Sequence, residues 1–327
     1  MAFNKDSTFG TISVVTGLCL ACSIVVSVAA VGLRSTQEEN KALDKQSNIL
    51  SVAGVDISDV AKRDLAKLYG DKIEARLVDL ATGNFVDGDA DNFDTKQAAK
   101  DPAQNIRLAA AEDKAGLRQI SKLVPVFFAK DADGKIDNII LPIYGQGLWS
   151  TMYAFVAVAA DGQTIKGITY YDHGETPGLG GEIENPAWRE LFVGKKLFDQ
   201  DGMPALRVIK GHAPAGSEHE IDGLSGATLT GNGVQHTFDF WMGPKGFGPF
   251  LAKVRAGEIN NGRQERNDKV AVDPCAGQQP HRLAGAGCLF CTRGYQPDED
   301  SVCNDPRGYG GHRLLKPVHL SDPQPDP

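Results

Sequence analysis

The pattern of hydrophobic and polar positions first sets apart an uncharged apolar stretch near the N-terminus. From Gly10 to Leu33 no residue is charged, and about 20 apolar residues span the core of a bilayer as a helix. A cleaved signal peptide usually has a shorter apolar region of about 7–15 residues. The pattern therefore predicts a retained transmembrane helix over residues 11–33, after a short segment over residues 1–10. Basic residues flank both ends of this helix, so the positive-inside count leaves its orientation open.

Polar, helix-compatible sequence follows the apolar stretch. Residues 34–50 carry charges of both signs and predict a helical stalk, and residues 56–68 repeat apolar positions at helical spacing. Residues 73–80 alternate between apolar and polar side chains, which predicts a strand. Residues 87–114 are rich in Asp, Ala and Lys, and this composition indicates a solvated insertion with some helix.

The centre of the chain shows strand patterns separated by turn residues. Two hairpins are predicted, over residues 124–129 with 136–141 and over residues 153–158 with 165–171. A short helix over residues 186–192, a strand over 206–210 and a helix after residue 228 follow. Hairpins accompanied by a few helices predict an α+β domain over residues 51–259, built on an antiparallel sheet with flanking helices.

The charge and cysteine content of the chain argue against some partners and some cysteine bonds. The net charge of the 327-residue chain is −8, and its pI of about 5.4 argues against a nucleic-acid partner, which requires a basic face. The six cysteines lie near the two ends of the chain, and the long stretch between Cys22 and Cys275 contains none. A disulfide or a thiolate metal site inside the predicted domain is therefore excluded.

The last part of the chain changes in character. From residue 260 the apolar periodicity stops and Pro, Gly, Arg and Cys become frequent, so we predict a disordered extension over residues 260–327. Cys288 and Cys291 form a C-x-x-C pair. They are only weak metal candidates, because a structural zinc site usually has two paired ligand sets. Disulfides are the other possibility if this segment lies in an oxidising compartment.

Residues 222–228, with the sequence D-G-L-S-G-A-T, stand directly before the last predicted helix. Amides at the start of a helix lack intrahelical partners and attract anions, and the β-branched Thr228 holds its hydroxyl in few orientations. This chemistry suits a phosphate that is held in place or esterified to the hydroxyl. Two alternatives are a simple turn with an N-cap and a hydrolase elbow at Ser225. The elbow requires a buried strand before it and triad partners in another order than Asp239 and His236 provide.

Two glycine-rich loops lie at strand ends, before residue 153 and after residue 171. Taken singly they indicate tight turns, a structural histidine and a core tryptophan. Together with the threonine loop, they suit the wall of one pocket for a planar aromatic cofactor. The candidate cofactor-binding residues are Gly145, Gly147, Leu148, Trp149, His173, Glu175, Thr176, Pro177, Gly178, Leu179 and Gly180.

On these motifs the chain resembles the covalent-FMN domain family. The flavinylation signature of that family is an acidic residue, two variable positions, Ser or Thr, Gly, Ala and Thr. It is matched by Asp222, Ser225, Gly226, Ala227 and Thr228. Residues 173–180, H-G-E-T-P-G-L-G, match its second signature. Within the family, the single membrane helix and the insertion before the hairpins resemble the C subunits of the Na+-translocating NADH:quinone oxidoreductases, over residues 1–259.

The resemblance implies a function and a set of partners. Thr228 would carry FMN through a phosphodiester, attached by a separate Mg2+-dependent flavin transferase that uses FAD as donor. The chain would relay electrons from NADH-side redox centres toward ubiquinone beside the other subunits of the complex, coupled to sodium export. The flavin domain would lie on the periplasmic side of a bacterial inner membrane. No residue is expected to act as a catalytic acid or base, and no metal ligand is expected in the domain.

Two alternatives remain open at this point. The flavoprotein G subunits of the Rnf electron-transport complexes share the helix and both motifs, but such chains are typically shorter and lack the insertion. A membrane-tethered module that binds its ligand noncovalently is the alternative from another class. In-gel flavin fluorescence after denaturation separates such a module from a covalent flavoprotein, because a noncovalent flavin washes away.

Overall fold

The structure, a computed structural model, describes residues 7–131 and 133–260 together with the backbone of residues 263–264. The weak metal candidates Cys288 and Cys291, and nearly all of the predicted disordered extension, lie outside the described residues. The predicted domain boundaries therefore stay predictions.

Helices and a main sheet make up the described part of the chain. The helices are α1 (Thr8–Gly32), α2 (Arg34–Val52), α3 (Lys62–Lys72), α4 (Thr95–Lys100), α5 (Pro186–Glu190), α6 (Thr228–Trp241) and α7 (Gly248–Arg255), with a 3-10 helix at Gly180–Glu184. The strands are β1 (Ile73–Asp79), β2 (Asn84–Val86), β3 (Asn105–Arg107), β4 (Gln119–Ser121), β5 (Leu123–Lys130), β6 (Ile136–Gln146), β7 (Thr151–Ala159), β8 (Ile165–Asp172), β9 (Arg207–Val208), β10 (Glu220–Ile221), β11 (Ile259–Asn260) and β12 (Arg263–Gln264).

Helix α1 has the properties of a membrane-spanning segment. It is 25 residues long and apolar enough to cross a bilayer. Its large side chains, such as Leu18 and Ile24, are exposed rather than packed against the rest of the described chain. A lone apolar helix of this length is stable where lipid surrounds it, because all its backbone groups can bond internally.

Helix α2 is separated from α1 by one residue and enters the core of the domain. Its N-terminal part is polar, but Ile49 and Leu50 at its C-terminal end are fully buried. They pack with Leu65 of α3 and with Phe127 and Phe155 on one face of the sheet. The predicted stalk is thus continuous with an element that covers the sheet.

The main sheet has six strands in the order β2-β1-β5-β6-β7-β8, and every neighbouring pair is antiparallel. Both predicted hairpins are present, β5 with β6 and β7 with β8. Their turns follow from the sequence: Asp131 accepts the N–H groups of Asp133 and Lys135, and Asp161 accepts those of Gln163 and Thr164. The predicted α+β class, with an N-terminal helix and an antiparallel sheet domain, is confirmed.

Three local predictions differ from the structure. The helix expected over residues 56–68 begins only at Lys62, because the Asp56 carboxylate accepts the N–H of Ser58 at 3.0 Å and holds a turn. The insertion contains α4 but also strand β3, which pairs with β4 just beyond the end of the insertion. The strand expected over residues 206–210 is reduced to β9, which pairs in parallel with β10 outside the main sheet. It ends before Gly211, which has a φ of +89°.

Helix α6 packs on the second face of the sheet and positions the site. Val234, Phe238 and Trp241 are buried, as their spacing predicts. The indole N–H of Trp241 donates to the Tyr144 carbonyl at 2.7 Å, which ties the helix to the end of β6. At Gly233 an added Cβ would lie 2.5 Å from the Gln146 carbonyl, so the helix lies directly against the loop that follows β6. The first turn of α6 is consequently held beside that loop.

Candidate functional site

The first residue of α6 is Thr228, and it is exposed. Ala227 precedes it at the N-cap position and provides no side-chain cap. Gly231 donates to the Ala227 carbonyl at 3.0 Å, whereas the N–H groups of residues 228–230 make no hydrogen bond with the described part of the chain. A free hydroxyl and three unpaired amides therefore share the positive end of a 14-residue helix.

The loop before Thr228 is fastened to residues 209–213. The carboxylate of Asp222 accepts the N–H of Ala213 at 2.8 Å and lies 2.7 Å from Nδ1 of His212. These two hydrogen bonds, in that order, hold the pKa of Asp222 below its ordinary value. A Cβ at Gly223 would overlap the Ile209 carbonyl, so glycine permits the close approach of the two segments. Both oxygens of Asp222 are thus engaged in positioning.

A cavity of about 370 Å³ has Thr228 among its lining residues. Residues 208–212 form one wall, and Ser225, Gly226 and Thr228 form another. This volume lies at the lower end of the range for small-molecule sites. The sequence reasoning missed the wall that carries Lys210 and His212. A basic pair around a glycine, at the end of the last predicted strand, is the signal that could have found them.

Glu175 connects the two glycine-rich loops to α6. It is only 4% exposed. Its Oε1 accepts the N–H of Trp149 at 2.9 Å and that of Ser150 at 3.4 Å, and its Oε2 accepts the hydroxyl of Thr230 at 2.6 Å. Burial raises the pKa of Glu175, but the hydrogen bonds from Thr230 and from these loop amides outweigh burial and lower it overall. The side chain is therefore an anion at neutral pH.

His173 makes its contacts within its own loop and with the following 3-10 helix. Its Nδ1 accepts the N–H of Glu175 at 3.1 Å, which places the proton of the neutral ring on Nε2. Nε2 lies 3.0 Å from Oε1 of Glu184. The Ser150 hydroxyl oxygen accepts the N–H of Gly174 at 2.6 Å and joins this loop to the other one.

Residues 176–179 form a turn that presents a leucine. The Thr176 carbonyl accepts the N–H of Leu179 at 3.1 Å, and Pro177 and Gly178 occupy the two central positions. Gly178 has a φ of +76°, so the pattern is that of a type II turn. Leu179 is exposed, and one of its methyl carbons lies 3.2 Å from where a Cβ at Gly226 would stand. The second loop thus meets the threonine motif through Leu179.

Apolar side chains remain exposed around this end of α6. Trp149 is 68% exposed, and Leu148, Leu179 and Leu229 are also exposed. An apolar surface next to free amides and a cavity matches the needs of an aromatic ring carrying a phosphate.

Some of the predicted glycines lie in turns, and others allow close packing of the backbone against another group. Gly145 lies against α6, since a Cβ there would overlap the Thr237 side chain. Gly147 and Gly180 lie against the Glu175 carboxylate. No group of three or more His, Cys, Asp or Glu side chains suited to a metal ion occurs among the residues that the structure describes.

The sheet domain and this helix end define a protein of the FMN-binding class. The family model described as FMN-binding domain matches residues 147–242, which run from the Trp149 loop through α6. The chain belongs to the family of C subunits of the Na(+)-translocating NADH-quinone reductases. It is 57% identical to the C subunit from Vibrio alginolyticus over 260 residues, which are 80% of this chain and 100% of that protein. It is 54% identical to the C subunit from Yersinia pestis over 259 residues, 79% of this chain and 97% of that protein.

Solved structures agree with this assignment. The crystal structure of Shewanella oneidensis NqrC matches with a TM-score of 0.62 at 37% identity, over 66% of this chain and 99% of that one. The C subunit of the reductase from Parabacteroides distasonis matches with a TM-score of 0.53 at 32% identity, over 67% and 96% of the two chains. The predicted family is confirmed, and the Rnf alternative is set aside. The covalent bond at Thr228 and the cofactor contacts stay predictions.

Proposed function

We propose that this chain carries FMN joined through its phosphate to the Thr228 hydroxyl and relays electrons in a Na+-translocating NADH-quinone reductase. Electrons pass from NADH-side redox centres toward ubiquinone, coupled to sodium export, beside the other subunits of the complex. The observation that supports this most is the exposed Thr228 hydroxyl at the start of α6, beside a cavity and inside the FMN-binding match. A flavin transferase with FAD as donor and Mg2+ is the maturation partner.

The residues present fit such a group. The amides of residues 228–230 suit the phosphate, because they carry no other hydrogen bond in the described structure and lie at the positive helix end. Exposed Trp149 and Leu179 supply apolar surface for the ring system. Bound FMN supplies the electron chemistry, so the protein needs to tether, orient and shield it. No side chain of this site has to act as a general acid or base.

The properties of α1 and the family resemblance support a proposal for the membrane arrangement. We propose that α1 crosses a bacterial inner membrane once and that the FMN domain lies on the periplasmic side. Within α1 there is no charged residue, so the helix offers no carboxylate to bind a sodium ion. Sodium passage is assigned to the other subunits of the complex.

Mass spectrometry of the Thr228 peptide tests the proposal. Trypsin cuts after Lys210 and Lys245, and the peptide between these sites contains Thr228, Thr230 and Thr237. After coexpression with the transferase we expect one FMN adduct, with fragment ions placing it on Thr228. Thr228→Ala should abolish the adduct and leave the fold unchanged.

A matched control removes another hydroxyl from the same helix. Thr237→Val should retain the adduct, because Thr237 donates only to the Gly233 carbonyl within α6. A flavin that washes away in a denaturing gel would favour noncovalent binding instead. Finding Thr228 unmodified in a native complex that still reduces quinone would refute the proposal.

A further inference from the structure

We propose that Glu175 is a positioning residue for the flavin: its buried carboxylate fixes the Trp149 loop and the Leu179 turn against the first turn of α6. This inference rests on the proposed function, because it assigns how the ring-facing side chains are held beside Thr228. It adds a role for a residue whose side chain is not exposed to the cofactor cavity.

The contacts of Glu175 come from separate segments. Oε1 takes the backbone N–H groups of Trp149 and Ser150, which lie between β6 and β7. Oε2 takes the hydroxyl of Thr230, two residues after the attachment site. Glu175 itself lies four residues before Leu179. One carboxylate thus joins the loop of Trp149, the loop of Leu179 and the helix of Thr228.

Two glycines outside the threonine motif are explained by the same carboxylate. A Cβ at Gly147 would lie 2.5 Å from Oε1 of Glu175. A Cβ at Gly180 would lie 2.8 Å from Oε2 and 2.5 Å from the Thr230 hydroxyl. Neither glycine has a positive φ, so backbone conformation does not require them. Glycine occurs at both positions because the loops close tightly around Glu175, as a positioning role requires.

The side chains that Glu175 positions are themselves exposed. The indole of Trp149 is 68% exposed, and the backbone of this residue is held through its N–H. Leu179 extends from the turn toward Gly226. Because exposed side chains gain little orientation from packing, their placement beside Thr228 depends on how their backbone is anchored.

The experiment compares matched variants of the full chain coexpressed with the transferase. Glu175→Ala removes both carboxylate oxygens that accept the hydrogen bonds from Trp149, Ser150 and Thr230. Thr230→Val removes only the hydroxyl donor and keeps the shape of that side chain. Thr237→Val is the control, since it removes a buried hydroxyl of α6 that bonds only within the helix. Trp149→Phe identifies the Trp149 part of the emission, because it leaves Trp188 and Trp241 as the remaining tryptophans.

Two optical readouts report the position of the ring. We expect the attached flavin to quench Trp149 emission in the wild type and in Thr237→Val, and we expect this quenching to be reduced in Glu175→Ala and reduced to a smaller extent in Thr230→Val. The visible circular dichroism of the flavin should change in the same order. A carboxylate that only stabilised the fold would lower the melting temperature and leave both signals unchanged.

The outcomes separate this inference from the proposed function. If the wild-type Thr228 peptide carries no FMN, the proposed function fails. If Thr228 is modified in all variants, but Glu175→Ala and Thr230→Val keep wild-type quenching and dichroism, the positioning role is overturned and the proposed function stands. If Glu175→Ala does not fold, Thr230→Val measured against Thr237→Val decides alone.

Discussion

The fit of Gly180 against Glu175 gives a prediction that needs no cofactor. In Gly180→Ala the new methyl group would stand 2.5 Å from the Thr230 hydroxyl and 2.8 Å from Oε2 of Glu175, so these groups must separate. Overpacking a closed site costs about 1–3 kcal/mol, and a weakened hydrogen bond to a charged group adds up to about 1.5–3 kcal/mol. Because the two effects overlap, we expect the free energy of unfolding to fall by about 3 kcal/mol.

A neighbouring glycine provides the control. Gly178 lies in the same turn with a φ of +76° and has open space where its Cβ would stand. Gly178→Ala should therefore introduce only backbone strain, about 1–2 kcal/mol, and leave the Glu175 contacts intact. Thermal melts of the unflavinylated chain in detergent measure both variants, and each kcal/mol lowers the Tm of a domain of this size by about 2–4 °C. A Gly180→Ala melt equal to that of Gly178→Ala or the wild type would refute the reasoning.

Three further predictions follow from other parts of the structure. Thr228→Ser keeps a hydroxyl at the helix start and should retain some covalent FMN, which the tryptic peptide mass measures, whereas an unmodified serine peptide would contradict a simple hydroxyl requirement. The pKa of Glu175 is lowered in the folded state, so its ionisation stabilises the fold at neutral pH and this contribution is lost as pH falls through the folded value. The free energy of unfolding, measured with denaturant from pH 7 to pH 3, should fall more steeply with decreasing pH in the wild type than in Glu175→Gln. An equal pH dependence in the two proteins would contradict this prediction. Ile49→Ala should cost about 2–5 kcal/mol, because Ile49 is fully buried under the sheet. Urea unfolding of Ile49→Ala measures this loss, with Ile12→Ala in α1 as the control. Equal unfolding midpoints for the two variants would contradict the prediction.

The parts of the fold that depend on local chemistry were predictable. Asp131 and Asp161 each cap their own turn, so the hairpins follow from a few adjacent residues. The spacing of Val234, Phe238 and Trp241 gave the buried face of α6 in the same way.

Long-range pairing was not predictable from these patterns. Strands β9 and β10 pair across an intervening loop, and Val208 also donates its N–H to the side chain of Gln235 on α6 at 2.7 Å. The first contact joins two-residue strands that are 13 residues apart, too short to show a strand pattern, and the second uses a side chain that hydrophobic periodicity does not distinguish. A strand pattern over residues 206–210 therefore suggested more sheet than the fold contains.

The candidate site shows the same division. The threonine motif and its helix were evident from small residues before an apolar periodicity. The glycines of the two loops were predicted as cofactor-binding residues, and this stays a prediction. The structure adds that Gly145 lies against Thr237, and that Gly147 and Gly180 lie against Glu175. A sequence shows that a position has no side chain, but only the fold shows which group occupies the space.

The junction of the two N-terminal helices constrains how the domain can move. Only Leu33 separates α1 from α2, and the last turn of α2 is embedded under the sheet. A 19-residue helix is a stiff rod about 28 Å long. Thr228 and the sheet are therefore joined to α1 through a rigid helix and one residue, Leu33. A movement of Thr228 relative to α1 is consequently a rotation of the whole domain about Leu33 rather than the extension of a flexible linker.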